Sequence, residues 1–374
     1  MGRRRKISAV DLFCGAGGLT HGFLLEGLPV NAGIDLDPAC RFPYEENNKA
    51  IFIEDDVGTM SADTVANLFP TTGLRILAGC APCQPFSTYT RRYETRADHQ
   101  WGLLNKFSDL VEEITPDIVT MENVPSVSKY AVFNKFVTRL EKLHYHAWFA
   151  VVDCGSYGVA QTRKRMVLLA SRLGPIQLIG PTHSRAPTVR QTIGRLRRIE
   201  AGARSPRDRL HVAPSLSDKN LKRIRASKPG GTWRDWPKSL VADCHKGSTG
   251  MTYPSVYGRM EWDSPAPTMT TQCFGYGNGR FGHPDQDRAI SLREAAILQG
   301  FPKNYSFIHP KQAVIFKTIG RLIGNAVPVD LGRAIARSIL LHSREVKTTL
   351  RKRTKKASSA LGKPSMAAPN TGYG

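Results

Sequence analysis

No apolar run in this 374-residue sequence approaches the roughly 18 residues a membrane-spanning helix needs. The first six residues, Met1-Gly2-Arg3-Arg4-Arg5-Lys6, precede an apolar stretch much as in a signal peptide. Asp11 interrupts that stretch, however, and it runs straight into a glycine-rich loop, which a secretory leader does not do. Lys6 stands where a myristoylation signal needs Ser or Thr. We therefore expect a cytoplasmic protein without a membrane partner. Cysteines are few, odd in number (seven) and scattered, which excludes a disulfide framework. Cys80 and Cys83 form one C-x-x-C, the spacing of a redox pair or of half a zinc site. No second C-x-x-C and no His pair completes a tetrahedral site, and Pro85 follows where a redox motif would open a helix, so no metal is expected. Internal repeats, a Walker loop and the dinucleotide fingerprint G-x-G-x-x-G are absent as well.

What is present begins with charge. The net +22 is unevenly spread: +4 over residues 1–6, −4 over 7–178, +11 over 179–284, +4 over 285–345 and +7 over 346–374. A near-neutral half joined to a basic one suggests a catalytic unit beside a unit that binds nucleic acid.

Apolar runs at 7–13, 30–34, 51–53, 74–78, 117–121, 147–152 and 166–170 read as strands. Helical spacing at 19–25, 64–68, 103–114 and 129–143 alternates with them. This pattern predicts an α/β fold with a doubly wound, mostly parallel sheet. Near Pro175 the periodicity fails, and up to Pro284 the chain is rich in Arg, Pro, Gly, Trp and Ser, which predicts a smaller, loop-rich unit. Helices at 291–299 and 329–341 restore order, and from 346 the basic, low-complexity end is expected to be disordered. The domain reading is a catalytic unit over 1–178 with 318–345 packing back onto it, a recognition unit over 179–284, a connecting segment over 285–317 and a basic tail over 346–374.

Candidate functional residues cluster at predicted strand ends, the edge where open α/β sheets hold ligands. Gly15-Ala16-Gly17-Gly18 follows the first strand and suits close approach of a nucleotide-like cofactor. Asp35 and Asp56 end the next two strands, where an acid can accept from ribose hydroxyls or an adenine amine; each could instead cap a helix. The strand at 74–78 leads to Pro82 and Cys83, a thiol whose direction the proline fixes. Glu122-Asn123-Val124 ends the neighbouring strand, where a buried glutamate can hold a proton for a ring nitrogen. In isolation that pair could also be a helix cap, and Gln161-Thr162-Arg163-Lys164-Arg165 a solvated edge.

Taken in order, these blocks resemble the cytosine-5 DNA methyltransferase family, of bacterial restriction-modification type, over nearly the whole chain. The blocks are Asp11-Leu12-Phe13-Cys14-Gly15-Ala16-Gly17-Gly18-Leu19, Pro82-Cys83-Gln84, Glu122-Asn123-Val124 and Gln161-Thr162-Arg163-Lys164-Arg165. After the variable basic region come the block running from Ser291 to Pro302 and Gly324-Asn325-Ala326-Val327-Pro328. The resemblance implies transfer of a methyl group from S-adenosylmethionine to C5 of a flipped-out cytosine within a specific duplex DNA sequence. Cys83 would add covalently to C6, Glu122 would hold N3 and the amine, Arg163 would contact the carbonyl, and Arg165 would support it. Phe13, Gly15, Gly17, Gly18, Leu19, Asp35, Asp56, Val57, Pro82, Leu103 and Asn325 would form the cofactor site. The segment 87–101 would be the loop closing over the base, with Tyr89 filling the vacated space. The basic unit would recognise the target, with Arg197, Arg198, Arg223 and Arg225 as candidates for phosphate or guanine contacts. Double-stranded DNA is then the partner, and the protein would be nucleoid-associated, monomeric and functionally paired with a restriction endonuclease.

Three other readings stay open at this point. An RNA cytosine-5 methyltransferase would share the architecture, although the basic segment is long for one. A non-catalytic DNA-binding regulator would not need the Cys83, Glu122 and Arg163 set. A nicotinamide-dependent oxidoreductase lacks its glycine spacing here.

Overall fold

A computed structural model describes residues 7–82, 97–248 and 250–361. Its centre is a seven-stranded sheet: β1 (Ile7–Leu12), β2 (Val30–Asp35), β3 (Ile51–Glu54), β4 (Leu74–Gly79), β5 (Ile118–Asn123), β6 (His146–Asp153) and β7 (Lys164–Ser171). The spatial order is β3-β2-β1-β4-β5-β7-β6. β1 to β5 pair in parallel, while β7 runs antiparallel to both β5 and β6. The strand order reverses between β1 and β4, which opens a crevice at their carboxyl ends.

The helices are α1 (Gly18–Leu25), α2 (Arg41–Asn48), α3 (Ala62–Ala66), α4 (Ala97–Ile114), α5 (Ala131–Lys142), α6 (Val189–Ile193), α7 (Asp218–Ala226), α8 (Leu292–Leu298), α9 (Phe316–Asn325) and α10 (Val329–Leu361). Alternation along the strands divides the core into two layers. Val10, Leu12 and Leu77 face Phe107, Leu110, Phe133 and Phe136 of α4 and α5. Ala9, Ile76 and Ala78 face Leu19 and Phe23 of α1 and Leu331, Ile335 and Ile339 of α10. A third apolar cluster, holding α8, α9, Met260, Met269 and Phe281, also reaches Tyr44 and Phe52.

The approach of α1 to the C-terminal segment leaves no room for a side chain at two glycines. A Cβ at Gly18 would stand 2.3 Å from the Val327 carbonyl oxygen, and one at Gly22 would stand 2.5 Å from that of Val329. Gly18→Ala is therefore expected to cost about 1–3 kcal/mol by overpacking, read as a lower urea midpoint with an unchanged slope.

Residues 175–284 carry little regular structure beyond α6, α7 and a short ribbon pairing Arg204–Ser205 with Asp208–Val212. α2, α6, α7 and α9 escaped the sequence reading. All are short, and α7 is set by its cap, in which Ser217 Oγ accepts from Asn220 N. The expected disorder from 346 is corrected as far as Leu361, where α10 ends. Residues 346–361 contain no Gly or Pro, and their Lys, Arg, Ala and Leu continue a helix already started on the sheet. Among the described residues no helix is long and apolar enough to cross a membrane.

Candidate active site

A cleft of about 230 Å³ lies in the crevice, lined by the ends of β1, β2, β4 and β5 and by residues of β7 and α9. Of the expected site residues, Phe13, Gly15, Leu19, Asp35, Pro82, Glu122, Arg163, Arg165 and Asn325 line it. Gly17, Gly18, Asp56, Val57 and Leu103 do not. Gly17 caps α1 at φ 87, and a Cβ there would meet the Asn48 amide at 2.4 Å. Asp56 accepts from Gly58 N at 2.8 Å, Val57 is buried, and a Cβ at Gly58 would meet Leu103 at 3.3 Å, so these three form a neighbouring group beyond β3. Cys83, Tyr89 and the loop arginines at 91, 92 and 96 lie outside the described residues.

The turn after β1 is built for close approach. Phe13 and Gly15 both take positive φ, 59° and 54°. For a phenylalanine that is an outlier of the kind found where surrounding structure overrides local preference. A Cβ at Gly15 would meet nothing within 4 Å, so the glycine leaves the cleft open at this point. Asp35 holds the turn in place: Oδ2 accepts from Gly15 N and Oδ1 from Asp37 N, each at 2.9 Å. Burial raises the Asp35 pKa against those two hydrogen bonds. Arg321 of α9 pairs with Asp37 and also lines the cleft.

At the opposite wall, Glu122 is buried, with Arg165 Nε 2.9 Å from Oε1. Burial raises the Glu122 pKa, and the charges of Arg165 and Arg163 oppose that rise. Asn123 Nδ2 donates to Ala81 O at 3.1 Å, and Val124 N donates to Asn123 Oδ1 at 2.9 Å. The end of β5 is thereby tied to the segment entering Pro82.

Arg163 and Arg165 both line the cleft and differ in what they touch. Arg163 is 2% exposed. It donates to the carbonyls of Met269 at 3.0 Å, Gly324 at 3.3 Å and Ala326 at 3.4 Å. Arg165 pairs with Glu122. Gln161 completes the junction: Nε2 donates to Leu298 O and Gln299 Oε1, both at 2.9 Å, and Oε1 accepts from Met269 N at 3.0 Å. Four blocks far apart in sequence are thus joined through buried amide and guanidinium groups. A polar run before an apolar strand gives no sign that two of its members point inward.

Among the expected DNA contacts, Arg223 is corrected. It is buried, donates to Leu240 O and Asn220 Oδ1, and lies against the Trp236 and Tyr257 rings. Arg198 and Arg225 are exposed and paired with Asp285 and Asp287. Asp11, absent from the sequence-derived site, lines the cleft with no solvent exposure; its one available signal was a carboxylate inside an apolar strand.

Residues 7–341 match the family described as C-5 cytosine-specific DNA methylase. The chain is 54% identical over 337 residues to the Type II methylase M.HgiDII of Herpetosiphon aurantiacus, covering 89% of this chain and 94% of that protein. It is 31% identical over 355 residues to the Type II methyltransferase M1.BsuMI of Bacillus subtilis (strain 168), covering 88% and 79%. In fold it is similar to a DNA modification methyltransferase encoded within an E. coli prophage, with a TM-score of 0.69 at 21% identity over 90% of this chain and 99% of that one. A match spanning residues 7–341, with every described block of the cleft inside it, places this chain in the C-5 cytosine-specific DNA methyltransferase family.

Proposed function

We propose that this protein methylates C5 of a cytosine flipped out of a specific duplex DNA sequence, through a covalent bond from Cys83 to C6, using S-adenosylmethionine. The observation that carries the reading is the single cleft where Gly15 and Asp35 face Glu122 and Arg165, with Asn123 tied to the segment leading to Cys83. The open space at Gly15 and the two acids beside it fit a ribose and a cationic side chain. When bound, S-adenosylmethionine supplies an electrophilic methyl group.

Asp35 would accept from the ribose hydroxyls, with Phe13, Leu19, Pro82 and Asn325 enclosing the rest. Asp56, Val57 and Leu103, outside the cleft's described lining, would take the adenine end. Gly17 and Gly18 act indirectly, by allowing the loop to pack. Cys83 would attack C6 as thiolate, making C5 nucleophilic. Glu122 would hold cytosine N3 and its amine and donate a proton as charge builds on the ring, a task suited to a carboxyl raised by burial. Arg165 would face the cytosine carbonyl, and Arg163 would hold the wall behind it. Loss of the C5 proton then allows the Cys83–C6 bond to break.

The units follow the same reading: catalysis in 1–178 completed by 318–345, target recognition in 179–284, and 285–317 between them. The +11 of the recognition unit suits phosphate contacts. A monomer acting beside a restriction endonuclease is the matching biological setting. The test is expression in a host lacking cytosine methylation, with bisulfite mapping of its DNA. Methylcytosine at one recurring duplex sequence is expected; unmethylated DNA from folded protein, or methylation of transfer RNA alone, would overturn the proposal. The adduct is tested with duplex containing 5-fluorocytosine, whose C5 substituent cannot leave as a proton. A covalent complex is expected with the wild type and none with Cys83→Ala.

A further inference from the structure

The long C-terminal helix leaves the sheet on the side away from the cleft. α10 and α1 lie side by side and run in the same direction. A Cβ at Gly18 would meet Val327, one at Gly22 would meet Arg333, and Glu26 pairs with Arg333 and Arg337. α1 starts beside the cleft, at the turn after β1, and leads back to the start of β2. Further along α10, His342 Nε2 lies 2.8 Å from Ser171 Oγ. Ser171 pairs with Ile118, the first residue of β5, so residue 342 has reached the sheet edge opposite the cleft. The apolar core stops close by: Ile339 and Leu340 belong to it, whereas Arg344, Glu345 and Thr348 are exposed. The helix nevertheless continues to Leu361, about 28 Å past that edge.

From Val346 to Leu361 this overhang holds Lys347, Arg351, Lys352, Arg353, Lys355 and Lys356 and no acidic residue. Lys347 with Arg351, Arg351 with Lys355 and Lys352 with Lys356 are like charges four apart, which weaken a helix unless a polyanion lies alongside. Duplex seated on the cleft cannot be that polyanion. The strands put about 20 Å between the cleft and the opposite edge, and the overhang runs further away. We propose that residues 346–361 of α10 form a second nucleic-acid surface, which holds a separate duplex segment by its phosphates while the cleft works on another. This rests on the reading of the cleft above. Phosphates are the fitting partner because contact with them needs only dense positive charge. Val346, Leu350 and Leu361 are the only large apolar residues of the stretch and it has no aromatic, too little to anchor a helix in a membrane interface. Such a surface lets the enzyme pass from one segment to the next without leaving nucleic acid.

The test fills the cleft first. A duplex carrying the mapped target with 5-fluorocytosine is trapped covalently on the full chain, and a labelled duplex lacking the target is then titrated onto the complex. The wild-type complex is expected to take up the second duplex with a Kd of about 10⁻⁶–10⁻⁴ M, weakening steeply with salt. Arg351→Gln, Lys352→Gln, Arg353→Gln, Lys355→Gln and Lys356→Gln made together should weaken that uptake about tenfold or more and lower its salt slope by about 4. Trapping and the methylation rate on a short duplex should stay at the wild-type level. A chain ending at Glu345, which keeps the apolar core, should match this variant. A trapped wild-type complex that takes no second duplex, or an uptake the substitutions leave unchanged, would overturn the proposal. Binding of phosphatidylserine vesicles without uptake of duplex would overturn it too, by assigning the overhang to a membrane. Failure to trap the first duplex would instead overturn the reading of the cleft. The second surface is then decided by the salt slopes of wild type and variant on non-target duplex alone, where equal slopes overturn it.

Discussion

Glu122→Gln is expected to slow methyl transfer to duplex DNA by about 10²–10⁴-fold while leaving duplex binding in place. The amide keeps the shape of the side chain, and with it much of the wall beside Arg165, but it cannot pass on a proton. Glu122 sits almost out of solvent at the end of β5, where burial raises its pKa and Arg165 and Arg163 work against the rise. A carboxyl balanced in this way can bind a ring nitrogen as a neutral acid at a pH where an exposed glutamate would be ionised. The wild-type rate should therefore fall as pH rises through the elevated Glu122 pKa, and the variant should lack that limb. Single-turnover rates across pH on one duplex, with binding measured alongside, check both statements. A variant that loses binding and rate together would assign Glu122 to duplex affinity instead.

Glu294→Ala is expected to destabilise the folded state by about 3–5 kcal/mol, because it leaves a guanidinium buried without its counter-charge. Arg288 is 0% exposed and donates to both Glu294 oxygens, at 2.7 and 2.8 Å. It also donates to Ile199 O at 3.1 Å, so one pair joins the loop-rich unit to α8. Glu294 in turn closes the α8 cap: Ser291 N donates to Oε2 at 2.7 Å, and Ser291 Oγ accepts from Glu294 N at 3.1 Å. Burial alone would raise the Glu294 pKa, but the Arg288 hydrogen bonds and charge hold it down to about 2. His283, 3.7 Å away, is lowered to about 4 by burial and is neutral at neutral pH. A depressed carboxyl stabilises the fold above its unfolded pKa, near 4.5, and that contribution is lost as pH falls towards 2. Urea unfolding should accordingly separate wild type and variant at pH 7 and bring them together as pH falls from about 4.5 towards 2. A constant gap over that range would place the loss in packing rather than charge.

Much of the architecture was legible because it is written in local patterns. All seven strands were anticipated from short apolar runs bounded by Gly, Pro or acidic residues, and a parallel sheet of that kind is buried on both faces. The strand ends that line the cleft, Phe13 to Gly15, Asp35, Pro82 and Glu122, were likewise visible as polar or glycine residues closing an apolar run. Other features were not. Antiparallel β7 depends on which neighbour the strand finds, and apolar runs carry no direction. The extension of α10 to Leu361 turned on the absence of a breaker rather than on apolar spacing. Short α7 owes its position to the Ser217 cap more than to periodicity.

The arginines of Gln161-Thr162-Arg163-Lys164-Arg165 mark the boundary most plainly. By itself the sequence determined the candidate side chains: a thiol, an acid, two arginines and a glycine turn, in an order shared with a methyltransferase family. Only the tertiary structure decided what each arginine touches, because Arg163 meets carbonyls supplied by Met269, Gly324 and Ala326, more than a hundred residues away. Those oxygens accept from the terminal nitrogens of Arg163, and Arg165 pairs with Glu122. The same holds for Asp11, whose buried Oδ1 is left without a hydrogen-bond partner among the described residues once β1, α1 and α2 have closed around it. A residue's chemistry is local, but the number of its bonds the fold leaves open is a property of everything packed against it.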